Sequence, residues 1–439
     1  MIHRTEETEC HTARGDTLGA GAVLWSRRLA GLLCLGLALL SAGCASSKRM
    51  TYTYDPAYGV ENPEFFRSLQ AFRMGMRSGN KLALLENGDS YFTDMLQAIT
   101  NAQRSSNIEL YIVAGDQIGT QFAKALAERA RAGLEVRVLV DDLGSRLGAL
   151  ADEMEAAGVK FRVYKPIRIY ALHKTGERTH RKIVVVDGRI GYVGGFGFDD
   201  RWRGNARTPE EWRDLAVRME GTVVAQLQSV FLEDWMHTTG EVLNGDSQFP
   251  PQAQPGSAEA QVVASSGNDQ SSMAKLLFYM AIQASRKRVW IENAYFVPDR
   301  QIRKALVHAA QRGVDVRVVV PGTHMDIDPI LRAARFHYGE LLKGGVQVFE
   351  YETSMLHTKA MVVDSVWTTV GSINLTDRSM RRNAEANVSI YDHAFAENME
   401  RVVLKDIDQS HAYSLQEWKH RGLWERCREL YSTLFSNAY

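Results

Sequence analysis

Cysteine is scarce in this sequence: Cys10, Cys34, Cys44 and Cys427 are the only four in 439 residues, and three of them crowd into the first 44. That spacing supplies neither a disulfide framework nor a zinc site. An excess of charge of one sign is also missing, since 52 Lys and Arg balance 52 Asp and Glu. Nucleic acid is therefore disfavoured as a partner, although a local basic cleft fits within a neutral total. No compact acidic cluster of the two-metal kind is present, and no metal or cofactor is expected. The longest apolar run, Leu29 to Leu40, is shorter than the about 20 residues a spanning helix needs. With 45% hydrophobic and 24% charged residues, disorder is excluded and the chain has room for two or three globular domains.

The short apolar run has its own meaning. Arg27 and Arg28 precede it and Ser41-Ala42-Gly43-Cys44 closes it. A positive flank, a short apolar stretch and a small-residue exit describe a signal peptide over residues 1–44. The pattern resembles a bacterial lipoprotein signal, in which Cys44 would become the lipidated first residue. Two alternatives stay open: an uncleaved N-terminal anchor, and twin-arginine export through Ser26-Arg27-Arg28. Each places the chain at a membrane, and residues 45–80 then read as a linker or extension.

The remainder is duplicated. Gly133-Leu134-Glu135-Val136-Arg137-Val138 recurs as Gly313-Val314-Asp315-Val316-Arg317-Val318, and Ala157-Gly158-Val159 recurs as Gly344-Gly345-Val346. In each phrase a helical pattern ends at glycine and an apolar strand follows. Helices alternating with strands predict α/β halves over residues 81–240 and 259–405, each a mixed or mostly parallel sheet flanked by helices. The polar, proline-containing stretch 241–258 links them, and 406–439 forms a C-terminal amphipathic helical segment.

The chemistry sits at matched points. His180-Arg181-Lys182 followed by Asp187, and His357-Thr358-Lys359 followed by Asp364, both read H-x-K-x4-D, 177 residues apart. On a strand, residues two apart share a face, so each imidazole stands beside an ammonium. The glycines Gly194-Gly195 and the sequence Gly371-Ser372-Ile373-Asn374 follow at the same offset. Glycine permits close backbone approach, and Ser372 and Asn374 add donors suited to phosphate oxygens. Two histidines allow one nucleophile and one general acid at a single seam between the halves, with the lysines neutralising the transferring phosphoryl group. Asp187 and Asp364 are expected to accept the second imidazole N–H and fix its tautomer.

These paired motifs resemble the phospholipase D superfamily from roughly Leu82 to Val403. Leu85-Glu86-Asn87-Gly88, Val140-Asp141-Asp142, Gly371 to Leu375 and Asn383 to Val388 most resemble bacterial cardiolipin synthases. The resemblance implies transfer of a phosphatidyl group through a phosphohistidine, from one phospholipid to a hydroxyl of phosphatidylglycerol, at a membrane. It implies a supporting polar role for Glu385. The alternative it leaves open is a phosphodiesterase that hydrolyses phospholipid or, with less support, nucleic acid. One departure stands out, because Gly197 occupies the position where the first family motif carries asparagine. One missing phosphate-side donor costs about 2–4 kcal/mol in a transition state unless a neighbour such as Asp199 or a backbone N–H replaces it. Neither the nucleophilic histidine nor the oligomeric state is legible.

Two further features are less decisive. Trp212-Arg213-Asp214 resembles another family phrase, reads equally as a lipid contact or as an aromatic anchor with a local ion pair, and stays outside the catalytic set. Leu423, Cys427, Leu430, Tyr431 and Leu434 share one helical face near Trp418, Trp424 and Phe435. Such a stripe more often packs on its own domain than lies among lipid headgroups. His173, His308, His324 and His337 lack partner motifs and read as structural or surface residues.

Overall fold

The structure is a computed structural model, and it describes residues 51–71, 75–166, 178–266 and 273–434. The signal-like segment with Cys10, Cys34 and Cys44 lies outside the described residues, as do His173 and Phe435. The first half contributes β1 (Arg77–Glu86), β2 (Ser105–Leu110), β3 (Glu135–Asp141), β4 (Lys160–Tyr164), β5 (Ile183–Val186), β6 (Ile190–Gly194) and β7 (Leu215–Glu220). The second repeats them as β8 (Ala258–Ser265), β9 (Arg288–Asn293), β10 (Asp315–Pro321), β11 (Gln347–Tyr351), β12 (Lys359–Val363), β13 (Trp367–Gly371) and β14 (Glu385–Tyr391), with β15 (Ser410–Tyr413) added at the edge.

All fifteen strands form one sheet, ordered β15-β11-β10-β9-β12-β13-β14-β8-β1-β7-β6-β5-β2-β3-β4. Read outward from the β1–β8 junction, the two halves have the same strand order. The sheet is mixed, and antiparallel pairs outnumber parallel ones. Only β2–β3, β3–β4, β9–β10 and β10–β11 pair in parallel. Those are the strands joined by the helices Gln117–Arg131, Ala149–Ala156, Arg300–Gln311 and Asp328–Lys343. The motif strands β5 and β12 instead pair antiparallel with β2 and β9 and turn back in hairpins with β6 and β13.

The glycine stops are real. Gly133 and Gly313 sit at φ +90° and +89°, a left-handed conformation that ends each helix before β3 and β10. The valine-rich runs form buried strands, as expected of segments covered on both faces: every residue of β5 and β12 is buried.

Among the described residues, three apolar cores hold the body. Two lie mainly in one half each, and the third is shared: Leu215, Val217, Leu227 and Phe231 of the first half pack in the same cluster as Val362, Val388, Phe395 and Met399 of the second. The halves are therefore two lobes of one folding unit. The stretch before β1 docks on the second lobe, where Val60, Phe65 and Leu69 enter its core. Within the 241–258 connection, Gln248 is buried and its side chain accepts from the Asn107 amide at 2.7 Å and donates to Glu135 at 2.6 Å.

The C-terminal helix Leu423–Leu434 departs from expectation. Its buried residues are Glu429 and Ser432, while the apolar stripe Leu423, Leu430, Tyr431 and Leu434 is exposed. The inward side is polar because Arg421 and Glu429 form an ion pair at 2.9 Å on that side. Among the described residues, no helix is long and apolar enough to cross a membrane.

Candidate active site

Each H-x-K motif enters the seam by pairing with the other lobe. The His180 N–H donates to the Ala384 carbonyl at 2.8 Å, and the Ala384 N–H donates to Arg178 at 2.9 Å. In the mirror arrangement the His357 N–H donates to Arg213 at 2.7 Å, and the Arg213 N–H donates to Met355 at 2.9 Å. Residues that immediately follow these bridges are Glu385, which opens β14, and Asp214, which directly precedes β7. Each lobe thus delivers a carboxylate to the other lobe's histidine.

His180 Nδ1 lies 2.8 Å from Glu385 Oε2, and His357 Nδ1 lies 2.7 Å from Asp214 Oδ2. An ionised carboxylate only accepts, so Glu385 favours the tautomer of His180 that carries its proton on Nδ1 and leaves Nε2 free for phosphorus; Asp214 favours the same tautomer of His357, against Lys359 Nζ, which lies 2.9 Å from the same Nδ1. Glu385 is held by further donors: the Ser372 hydroxyl at 2.6 Å on Oε2, and Ser379 at 2.5 Å with Asn383 at 3.4 Å on Oε1. Asp214 accepts from the Trp202 indole at 2.9 Å and the Leu215 N–H at 2.8 Å.

Asp187 and Asp364 do not make the contact expected of them. The Asp187 carboxylate accepts the backbone N–H groups of Gln103, Arg104 and Ser105 at 2.7 to 3.2 Å. Asp364 accepts those of Arg286, Lys287 and Arg288 at 2.7 to 2.8 Å. Both sit at positive φ, +53° and +52°, in the turns of the β5–β6 and β12–β13 hairpins. Five residues beyond the lysine, the chain has already run past the far end of its strand, so these carboxylates anchor the motif strand from that end.

The glycines and Ser372 also act on the carboxylates. A side chain at Gly195 would start 2.2 Å from Asp214 Oδ1, so this glycine makes room for the carboxylate. Ser372 occupies the matched position, and its hydroxyl is committed to Glu385 rather than turned to a ligand. Gly194 is pinned against β7, where a Cβ would meet the Leu215 carbonyl at 2.5 Å. Asn374 does line the cavity, and its buried Oδ1 has no hydrogen-bond partner among the described residues.

Gly197 has a steric reason. A Cβ there would lie 2.8 Å from the Trp202 ring and 2.9 Å from Ile112, so the indole fills the space an asparagine side chain would need. Its N–H goes to Asp214. Asp199, the other candidate substitute, forms a bidentate pair with Arg201 at 2.8 and 2.9 Å. Arg201 stacks over Trp212 at 4.6 Å and lines the cavity, 177 residues before Arg378, which also lines it.

The cavity holds about 210 Å³ and is lined by His180, Lys182, His357 and Asn374 with Arg178, Arg201 and Arg378. Tyr111 meets the His180 ring edge-on at 5.1 Å, as Tyr295 meets His357 at 6.2 Å. Burial lowers the His180 imidazole to about 4, with Lys182 and Lys359 adding to the effect against the pull of Glu385. Burial and the two lysines hold His357 well below the usual imidazole range. Burial also drops the Lys182 ammonium to about 7 and that of Lys359 to about 8. It lifts Asp214 to about 6 against Lys359 and the indole N–H. Glu385 is buried too, but His180, Lys182 and Ser372 outweigh that burial and hold its carboxyl below the usual range. A desolvated site with five cationic side chains at or beside the cavity is built for an anion.

Asp214 is the functional residue the sequence reading set aside. The strand register reveals it: the 171-residue step from Ala216 to Asn387, the β7 and β14 partners of Gly194 and Gly371, carries Asp214 onto Glu385, whereas the motifs themselves repeat at 177.

The duplicated sheet, the shared seam and the crossed histidine–carboxylate pairs define a two-lobed phospholipase D-like enzyme. A family model described as cardiolipin synthase, phospholipase D-like domain, matches residues 95–235 and 279–407. A cardiolipin synthase of Geobacillus kaustophilus is 33% identical over 374 residues, covering 83% of this chain and 74% of the relative. A probable cardiolipin synthase of Bacillus subtilis is 33% identical over 380 residues, covering 85% and 75%. In fold, the chain is similar to the crystal structure of phosphatidylserine synthase from Haemophilus influenzae, with a TM-score of 0.67 at 12% identity, covering 86% of this chain and 99% of that one. The chain belongs to the cardiolipin synthase family, and it is an enzyme of the phosphatidyltransferase type.

Proposed function

We propose that the chain transfers a phosphatidyl group from phosphatidylglycerol to a glycerol hydroxyl of a second phosphatidylglycerol, through a phosphohistidine on His180 or His357. The observation that carries this reading is the pair of crossed contacts, His180 to Glu385 and His357 to Asp214, beside one cationic cavity. Nε2 of one histidine attacks phosphorus and the P–O bond to glycerol breaks. The other histidine gives its proton to the leaving oxygen, then takes one from the acceptor hydroxyl as the P–N bond breaks. Lys182, Lys359 and Asn374 hold the phosphoryl oxygens, while Glu385 and Asp214 hold the rings. Entry of the phosphodiester anion raises the depressed histidine and lysine values toward their charged forms. Gly194, Gly195 and Ser372 keep the carboxylates in place, and Asp187 and Asp364 keep the motif strands in place.

Residues 1–44 act in this reading as an export signal, with Cys44 lipidated at a bacterial membrane. Product analysis tests the reaction: full-length protein is incubated with phosphatidylglycerol vesicles, and the lipids are resolved. Cardiolipin and glycerol in equal amounts are expected. Phosphatidic acid without cardiolipin would make water the acceptor and overturn the transferase reading.

A further inference from the structure

We propose that the outward face of helix Leu423–Leu434 docks the protein on the headgroup region of an anionic bilayer. The helix is amphipathic in the reverse of the usual sense. Leu423, Trp424, Leu430, Tyr431 and Leu434 are 79%, 75%, 52%, 63% and 71% exposed, while Glu429 and Ser432 face the protein. At about 100° per residue, the five apolar side chains and Cys427 fall within an arc of about 120°, opposite Glu429 and Ser432. Arg426 and Arg428, both exposed, border that arc on its two sides. An apolar arc edged by long cationic side chains is the pattern of a helix lying in a membrane interface, where the stems stay in the apolar layer and the guanidinium groups reach phosphate.

The helix cannot roll to hide this face. Glu429 is tied to Arg421 at 2.9 Å, and both side chains are nearly inaccessible, so rotation would strand a buried charge. The preceding turn is fixed as well: the Trp418 indole donates to the Arg335 carbonyl at 2.9 Å and lies against Gly339. With Arg421 and Glu429 cancelling, Lys419, Arg426 and Arg428 outnumber the exposed Glu417 and Glu425 by one, which leaves a slight positive surplus for anionic lipid. The supporting helix, Asp328–Lys343, also leads from the catalytic cavity, since Ile327 and Ile330 line it and Ile327 is itself exposed. The choice of a lipid surface over a protein partner rests on the proposed phospholipid substrate.

The test uses full-length protein with vesicles of phosphatidylglycerol and phosphatidylcholine whose acyl chains carry bromine near the headgroup, read by tryptophan fluorescence. Trp202, Trp212, Trp235, Trp290 and Trp367 are buried, so the difference between wild type and Trp424→Phe isolates the docking helix. Bromine is expected to quench a wild-type component that Trp424→Phe lacks. Replacing Leu423, Leu430 and Leu434 together by Glu is expected to remove the same component. Measured in a His357→Ala background, the quenching is independent of turnover, so a wrong lipid product leaves this result standing. Equal quenching of wild type and Trp424→Phe would overturn the proposal. So would a lipid-free dimer that the triple Glu variant dissociates, which would show a second copy covering the face.

Discussion

At the scale of single residues, the site depends on which carboxylate meets which imidazole. Asp214 is fully buried, accepts His357 Nδ1 at 2.7 Å and shares that oxygen with the Trp202 indole. Replacing it by Asn keeps the shape but offers an amide that does not enforce the same tautomer. Asp214→Asn is predicted to lower kcat by about 10²–10⁴-fold with little change in thermal midpoint, checked by steady-state kinetics and calorimetry. The pH dependence follows from the same burial. Below about 6 Asp214 takes up a proton and no longer accepts from His357. Above about 7 to 8 Lys182 and Lys359 lose the charge that binds phosphate. A bell-shaped kcat/KM with limbs at those values is expected. Stability moves the other way on the alkaline side. From about 7 up to the ordinary lysine value near 10.5, the unfolded chain binds a proton that folded Lys182 does not, so stability rises with pH while kcat/KM falls. Melting curves measured beside kinetics across that range check the opposition. His180, Lys182, His357 and Lys359 were legible because a motif repeated in register is rare by chance. Asp214 was not, because its chemistry exists only after the two lobes cross.

At the scale of elements, the H-x-K-x4-D motif is a strand with reactive residues at one end and an anchor at the other. Asp364 is buried and accepts three backbone donors from the segment that opens β9, as the less buried Asp187 does for β2. Asp364→Ala leaves those donors stranded and is predicted to cost at least about 1–3 kcal/mol of unfolding free energy, and more than Asp187→Ala does. Denaturant titration of both variants measures this, and full stability with lost turnover would instead give Asp364 a direct chemical role. The strands and glycine stops were readable because valine-rich runs and left-handed glycines act locally. The sheet was less so: helical crossovers enforce only the four parallel pairs, and the hairpins that follow each motif set the antiparallel majority. The C-terminal stripe was misplaced for a related reason. Hydrophobic periodicity locates a face, but the Arg421–Glu429 pair decides which face turns inward.

At the scale of the whole molecule, one continuous sheet and one shared apolar core make the duplicated lobes a single catalyst. Neither lobe holds a complete histidine–carboxylate pair, since His180 and Asp214 come from one and Glu385 and His357 from the other. The central claim is that both histidines serve one two-step phosphatidyl transfer. Trapping the intermediate tests it most directly: phosphatidylglycerol labelled in its phosphatidyl group is mixed with wild type, His180→Ala or His357→Ala, quenched in alkali and the protein-bound label counted. Labelling of wild type and of only one of the two variants, with steady-state glycerol release abolished in both, is the predicted result. Glycerol release at near wild-type rates from both variants would contradict it.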